Sequence, residues 1–282
     1  MTGTEEAYQS RGKEEMMRII MVAICLALAS GCAGMERKGT DMAVHDRLPG
    51  YLSPERLPDS TALIPPPPAP GSMGFALDEE VKRSVLPLRD TPIWDMAAHD
   101  SDLSMQSVAN GFSCALKIVL TKQETPTLFR LLERTLSDVK SAVSIAKKKF
   151  GRPRPFVAGN ERTCTPEYER RMRNSGSYPS AHTAAGWAWA LILSELAPER
   201  GDEALARGIS LGDSRIVCNV HWVSDVNEAR NVAAAVVARL HSDPAFRADL
   251  ELARAELAES RAKGVPPAGP CSKPYRLNPV SR

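Results

Sequence analysis

The feature that most restricts the fold is a long stretch in which apolar residues recur every three or four positions. It begins at Pro126, after Thr125, a residue type that caps helices, and proline is favoured at the first position of a helix. The recurring apolar residues are Leu128, Leu131, Leu132, Leu136, Val139 and Val143. This spacing is that of one face of an α-helix, so it predicts a helix with one buried face.

Further helical segments follow toward the C-terminus, separated by short links that contain Pro, Gly or Ser. We expect helices near residues 183–196, 202–211, 225–240 and 244–262. The strict alternation of apolar and polar residues that marks a half-buried strand is not evident. The predicted fold class is therefore all-α, a helical bundle.

Composition indicates one folded domain. The 282 residues are 43% hydrophobic and 25% charged, which suffices for one sizeable core. We place this domain at 75–265, between a proline-rich tether at 33–74 and a C-terminal tail at 266–282. The prolines 65–68 should form an extended polyproline II segment. A net charge of +2 does not favour nucleic acid as a partner.

Residues 1–32 predict an export signal. The apolar run 19–30 follows Arg18 and precedes small residues, as in a secretory signal, and it is too short to span a bilayer. Its end, from Ala29 to Cys32, resembles the lipobox of bacterial lipoproteins. Two alternatives stay open: lipidation of Cys32, or simple cleavage near Ala29. The predicted location is the periplasm, either free or held at the outer membrane by an N-terminal lipid anchor.

Four cysteines remain after that segment, namely Cys114, Cys164, Cys218 and Cys271. An even number in an oxidising compartment predicts two disulfides, and four cysteines allow three pairings. Their spacings do not resemble a zinc site, so we expect no metal.

The first of three unusual segments, 147–155, closes the long predicted helix. It contains Lys147 and the pair Arg154–Pro155. Alone, it has an ordinary explanation, because cations at the C-terminal end of a helix complement the negative pole of the helix dipole.

The second segment, 176–183, leads directly into a small and apolar helix. Ser180, Ala181 and His182 lie at the start of that helix. Helix starts bind anions because their first N–H groups lack partners, and a serine hydroxyl adds a donor. Alone, Ser180 would more often be a helix cap, and His182 would more often be structural.

The third segment, 212–225, contains Arg215, His221 and Asp225. His221 and Asp225 are one helical turn apart, so the carboxylate can bind one ring N–H and leave the other nitrogen free to attack. Alone, they would be an ordinary ion pair on a helix.

Together the segments resemble the signature of the phosphatidic acid phosphatase type 2 and vanadium haloperoxidase superfamily, especially its bacterial class A non-specific acid phosphatases. The signature reads K-x6-RP, then PSGH, then SR-x5-H-x3-D. Lys147 to Arg154–Pro155 matches its first part, 179–182 matches the second with one change, and 214–225 matches the third. The pair Arg152–Pro153 does not match, because Ile145 stands at its lysine position.

The resemblance implies a metal-independent phosphate monoester hydrolase without a cofactor. His221 would attack phosphorus and form a phosphohistidine, and Asp225 would orient it. His182 would protonate the leaving alkoxide and later activate water.

The resemblance also implies a set of phosphate-binding groups, in which charged side chains replace a metal ion. Lys147, Arg154 and Arg215, with the Ser180 hydroxyl and the backbone at Ala181, would hold the nonbridging oxygens.

Two positions depart from the resembled pattern. Ala181 stands where glycine is usual, which is mild if its backbone is helical and harmful if a positive φ is required. Asn219 replaces another glycine, but asparagine tolerates the left-handed conformation. In this context a Cys164–Cys218 disulfide would fasten two walls of the pocket, and Cys114 would pair with Cys271.

The expected substrate is a small phosphomonoester, and a homo-oligomer is compatible with the pattern. Lipid phosphatases of this superfamily embed their site among membrane helices, but residues 33–282 contain no run of about twenty apolar residues. Two alternatives are a vanadium-dependent haloperoxidase and a noncatalytic, anion-binding envelope lipoprotein. Retention of every proposed catalytic side chain argues against the latter.

Overall fold

A computed structural model describes residues 48–267 together with Cys271 and Leu277. The predicted export signal, with Ala29 and Cys32, lies outside the described residues. Within them every regular element is helical, which confirms the all-α class. The helices are α1 (Ser60–Leu63), α2 (Met73–Ser84), α3 (Pro92–His99), α4 (Met105–Leu116), α5 (Pro126–Phe150), α6 (Pro155–Ala158), α7 (Pro166–Arg173), α8 (Ala181–Leu196), α9 (Gly201–Val217), α10 (Val223–Leu240) and α11 (Pro244–Lys263).

The long predicted helix is α5, and all six of its recurring apolar side chains are buried. Thr125 does not cap it as predicted: its hydroxyl donates instead to the Thr121 carbonyl. The first amides of α5, at Thr127 and Leu128, each donate at 2.9 Å to the Glu256 carboxylate from α11. A side chain distant in sequence therefore replaces the local cap. The helix ends where Gly151 adopts a left-handed conformation at φ 53°.

Helix α8 crosses the core and packs against α5, α9 and α10. Small residues allow this close packing: a Cβ built on Gly208 of α9 would lie 2.4 Å from the Cβ of Ala190 on α8. The indole N–H of Trp189 donates to the Leu132 carbonyl at 2.8 Å and so joins α8 to α5. This packing fixes the start of α8 relative to its neighbours.

Helix α9 is longer than predicted. The predicted range ends near residue 211, but the helix continues to Val217, and Gly212, which follows residue 211, is buried in a tight contact within it. A Cβ at Gly212 would meet Thr183 and Arg230 side-chain atoms at 3.0 Å. Arg215 therefore lies in the last turn of a helix, not in a loop.

The predicted tether at 33–74 packs onto the domain in its described part. Tyr51 and Leu52 are buried, and their amides donate to the two carboxylate oxygens of Asp138 on α5 at 2.8 and 3.0 Å. Farther along, the Tyr178 hydroxyl donates to the Pro65 carbonyl at 2.7 Å. Residues 48–74 thus belong to the folded domain, because a buried carboxylate captures their backbone and their apolar side chains enter the core.

Two disulfides support this frame, and their pairing is the one predicted. Cys114 at the end of α4 pairs with Cys271 of the C-terminal tail, and Cys164 pairs with Cys218 at the end of α9. In the described part of the chain, none of the helices combines the length and apolar character needed to cross a membrane.

Candidate active site

The three unusual segments meet at one end of α8. The Ser177 amide donates to the Arg152 carbonyl at 2.8 Å, which joins the chain after α5 to the segment before α8. The Ser180 amide donates to the Asp225 carbonyl at 3.0 Å, which joins that segment to α10. Backbone hydrogen bonds therefore gather residues that lie far apart in the sequence. The predicted catalytic and phosphate-binding residues all belong to this cluster.

His221 is buried, with only 3% of its surface exposed. Its Nδ1 lies 3.1 Å from the Asp225 Oδ2 and its Nε2 lies 3.0 Å from the Arg154 guanidinium. Because an ionised carboxylate only accepts, the ring proton belongs on Nδ1 and the lone pair on Nε2. Burial, followed by the charges of Arg154 and Lys147, holds the pKa of His221 well below its ordinary value. A neutral imidazole with its lone pair on Nε2 suits a nucleophile, and in this structure Arg154 donates to that nitrogen.

Asp225 is held from several sides. It also accepts hydrogen bonds from the Trp222 amide at 2.9 Å and from the Ser177 hydroxyl. Burial raises the pKa of Asp225, and the charge of Arg152 opposes that rise. These donors fix the carboxylate in the position from which it orients the His221 ring.

Arg152, the arginine outside the signature, is a main partner of Asp225. Its guanidinium is buried and donates to Asp225 Oδ1 at 2.8 Å and to Asp78 Oδ2 at 2.6 Å. Asp78 is on α2 and also accepts from the amide and hydroxyl of Ser224, at 2.9 and 2.7 Å. The sequence carried one weak signal for this role, the repeated Arg-Pro pair, and none for Asp78.

We expect Arg152→Ala to lower the free energy of unfolding by about 3–5 kcal/mol, because it leaves two buried carboxylates without their shared cation. Urea denaturation followed by circular dichroism measures this loss. Arg83→Ala is the matched control, since Arg83 pairs with Glu80 on an exposed face of α2 with 61% of its side chain accessible. Equal stability of the two variants would contradict the proposed structural role of Arg152.

Three cations line the cluster. The Lys147 ammonium donates to the Gly176 and Ser177 carbonyls at 2.7 and 3.1 Å. The Arg154 guanidinium donates to the Val220 carbonyl at 3.0 Å, among other bonds. Arg215 is 2% exposed, donates to the Ala97 carbonyl at 3.4 Å, and its Nε has no hydrogen-bond partner among the described residues.

The electrostatics of these cations favour an anion between them. Burial and the charge of Arg154 lower the pKa of Lys147 to about 7. Burial lowers the pKa of Arg154 and of Arg215 to about 10 each. Each shift records a buried positive charge that a negative ligand would stabilise.

The start of α8 supplies neutral donors. Ser180 is the N-cap, and its oxygen accepts from the Thr183 amide at 3.3 Å and from the Thr183 hydroxyl at 2.9 Å. Neither bond uses the proton of the Ser180 hydroxyl, which can therefore donate to an anion. Ala181 is the first residue of α8 and is not among the residues with positive φ, so the mild alternative holds for this position. Asn219 has φ 63°, the left-handed conformation expected of it.

His182 follows in the first turn of α8. Its Nε2 lies 3.0 Å from the Ser101 carbonyl, in the link between α3 and α4. Burial, and then the charge of Arg215, holds the pKa of His182 well below its ordinary value. No group of three or more His, Cys, Asp or Glu side chains is placed to hold a metal ion in the described part of the chain.

Comparison with known proteins identifies the family of this chain. Residues 133–248 match the PAP2 superfamily. The chain is 43% identical over 210 residues to a non-specific acid phosphatase of Providencia stuartii, covering 74% of this chain and 85% of that protein. It is 40% identical to a non-specific acid phosphatase of Salmonella typhimurium over 73% of this chain and 83% of the relative. An acid phosphatase of Zymomonas mobilis is 38% identical, over 74% of this chain and 79% of its own length.

Proposed function

Because this chain belongs to the PAP2 superfamily, among its class A non-specific acid phosphatases, we propose that it hydrolyses small phosphate monoesters through a phosphohistidine at His221. One observation carries the proposal: a buried, neutral His221 directs Nε2 toward a cluster of cations while Nδ1 is bound to Asp225. A nucleophile poised among anion-binding groups is what attack on a phosphate ester requires.

In the first step, Nε2 of His221 forms a bond to phosphorus and the bond to the ester oxygen breaks. His182 acts in its protonated form, which the negative charge of the bound phosphate favours, and gives a proton to the departing alkoxide, so a neutral alcohol leaves. In the second step, water attacks phosphorus and gives a proton to His182, and the P–Nε2 bond breaks. Inorganic phosphate leaves and both histidines return to their starting state.

The cations act on the transition state, in which negative charge spreads over the nonbridging oxygens. We expect Lys147, Arg154 and Arg215, with the Ser180 hydroxyl and the first amides of α8, to bind these oxygens, because burial lowers the pKa of all three cations in the cluster around His221. These groups recognise the phosphate and not the alcohol, which supports broad specificity among phosphomonoesters.

A paired assay tests the reaction class. The purified protein is expected to release phosphate from an aryl phosphate and to leave acid-labile phosphate on His221 when the reaction is quenched rapidly. The same preparation is assayed for vanadate-dependent bromide oxidation. Bromide oxidation without phosphate release would indicate a haloperoxidase, and neither activity would indicate a binding protein.

The charge state of Lys147 predicts how anion binding depends on pH. With a pKa of about 7, Lys147 is protonated below neutral pH and loses its charge above it. Sulfate, whose own charge is constant in this range, should therefore inhibit more weakly as pH rises, by up to about tenfold per unit between about pH 7 and pH 9. Lys147→Arg keeps its charge and should flatten the decline. The same slope in both proteins would contradict this assignment.

We further propose that the protein is exported to the periplasm. The apolar run 19–30 behind Arg18 supports export, and the two disulfides fit an oxidising compartment. Cell fractionation with labelled palmitate separates the two alternatives at the N-terminus. Label that disappears in Cys32→Ser would indicate a lipid-anchored protein, and an unlabelled periplasmic protein would indicate simple cleavage.

A further inference from the structure

Asp100, which the signature does not include, ties the link between α3 and α4 to α9. Its side chain is buried and accepts two hydrogen bonds from the Arg207 guanidinium, at 3.1 and 2.6 Å. It accepts a third from the Ser214 hydroxyl at 2.5 Å. Arg207 and Ser214 are two helical turns apart on α9 and so present one face to Asp100. The carboxylate is thereby held at three points.

The next residue in the chain contacts the proposed general acid. The carbonyl of Ser101 lies 3.0 Å from Nε2 of His182. A carbonyl can only accept, so the proton of this hydrogen bond belongs to Nε2. Nδ1 is then the ring nitrogen that remains for a substrate. The position of one backbone carbonyl thus decides which nitrogen of His182 can exchange a proton with the leaving group.

We propose that Asp100 and Arg207 are positioning residues that hold the Ser101 carbonyl against His182 and so fix its tautomer and orientation for proton transfer. The inference rests on the proposed function, in which His182 protonates the leaving alkoxide. As the P–O bond breaks, the proton moves from Nδ1 to the ester oxygen, while the Nε2 proton stays bonded to Ser101. The same hydrogen bond stabilises the imidazolium form before transfer, when both nitrogens carry protons.

The charges around His182 explain why the position of the Ser101 carbonyl matters. Burial, and then the charge of Arg215, disfavours a positive charge on His182, whereas the bond to Ser101 favours it. A displaced carbonyl would leave the imidazolium without its acceptor inside a cationic pocket. Ser214 then has a role beside Arg215 in the third segment. Ser214 helps to position the link between α3 and α4, and Arg215 binds the anion.

The test compares two substrates that differ in their need for a proton. An alkyl phosphate releases a strongly basic alkoxide that must be protonated, whereas 2,4-dinitrophenyl phosphate releases a weakly basic phenolate that need not be. The measured quantity is kcat/KM, which reports formation of the phosphoenzyme and excludes its later hydrolysis. His182→Ala provides the reference pattern, a large loss with the alkyl substrate and a small loss with the activated one.

Arg207→Ala is expected to lower kcat/KM for the alkyl phosphate by about 10–100-fold and to change that for the activated ester less than about twofold. Arg207→Lys, which keeps the charge but not the two-pronged contact, should lie between this variant and the wild type. Arg200→Ala is the matched control, because Arg200 donates to the Ala115 carbonyl and does not contact Asp100.

The results distinguish the positioning role of Asp100 and Arg207 from the general-acid role of His182. If His182→Ala shows its selective loss but Arg207→Ala shows an equal loss with both substrates, or no loss, the positioning role of Asp100 and Arg207 is overturned. If His182→Ala itself shows no selectivity, the general-acid role fails instead. Should Arg207→Ala not fold, Arg207→Lys and Asp100→Asn are judged by the same ratio between the two substrates.

Discussion

The His221→Ala variant is expected to lose at least about four orders of magnitude in kcat/KM with any phosphomonoester, because it removes the atom that would bond to phosphorus. The fold should survive, because the ring is small and water can fill its space and hydrogen-bond to the polar groups of Arg154 and Asp225 that contact it. The measurements are phosphate release under saturating and limiting substrate, and acid-labile labelling of the quenched protein.

The control for this variant is His241→Ala, the same replacement on the outer side of the bundle. His241 is 38% exposed and pairs with Glu195 at 3.1 Å. It should keep both turnover and labelling. Turnover of the wild-type order in His221→Ala would exclude His221 as the nucleophile, and label retained by His221→Ala would place the phosphoenzyme elsewhere.

The second large effect is expected at Arg215. Arg215→Ala should lower kcat/KM by about 10²–10³-fold, the usual loss when one preorganised charged donor to the transition state is removed. Arg215→Lys should recover only part of it, because a lysine cannot present two coplanar N–H groups to two oxygens. The comparison variant is Arg83→Lys, which alters an exposed ion pair with Glu80.

Stability measurements distinguish binding from folding at this position. Arg215 is a buried cation with one weak bond to Ala97 and an Nε that lacks a partner among the described residues, so its own contacts add little to folding. Arg215→Ala should therefore melt no lower than the wild type in anion-free buffer. Inorganic phosphate should raise the melting temperature of the wild type and hardly that of the variant. A large loss of stability without anion would mean that Arg215 is structural.

Local patterns were a good guide to the helices. The apolar period of α5 and the starts of α10 and α11 are visible in the sequence because a helix repeats every few residues. The predicted ends of helices were wrong where residues distant in the sequence contact them. Glu256 caps α5 in place of Thr125, and tight packing carries α9 past Gly212. Neither effect has a sequence signal near the position it changes.

The predicted tether was also affected by contacts with residues distant in the sequence, here over a whole segment. A proline-rich segment of low hydropathy reads locally as extended chain, and only the position of Asp138 on α5 reveals a partner for the amides of Tyr51 and Leu52. The free energy that holds such a segment comes from contacts with residues far along the chain. Its own composition does not record them.

The spacings of His221, Arg215 and Lys147 within their segments are properties of the chain, so the sequence alone determined which side chains we propose for the chemistry, and it predicted the helices near them. Tertiary structure alone decided which carboxylates control them. Asp78 reaches Asp225 through Arg152, and Asp100 sets the carbonyl that faces His182. The physical reason is that burial makes an unpaired charge costly, so these partners are selected by packing in three dimensions and not by distance along the chain.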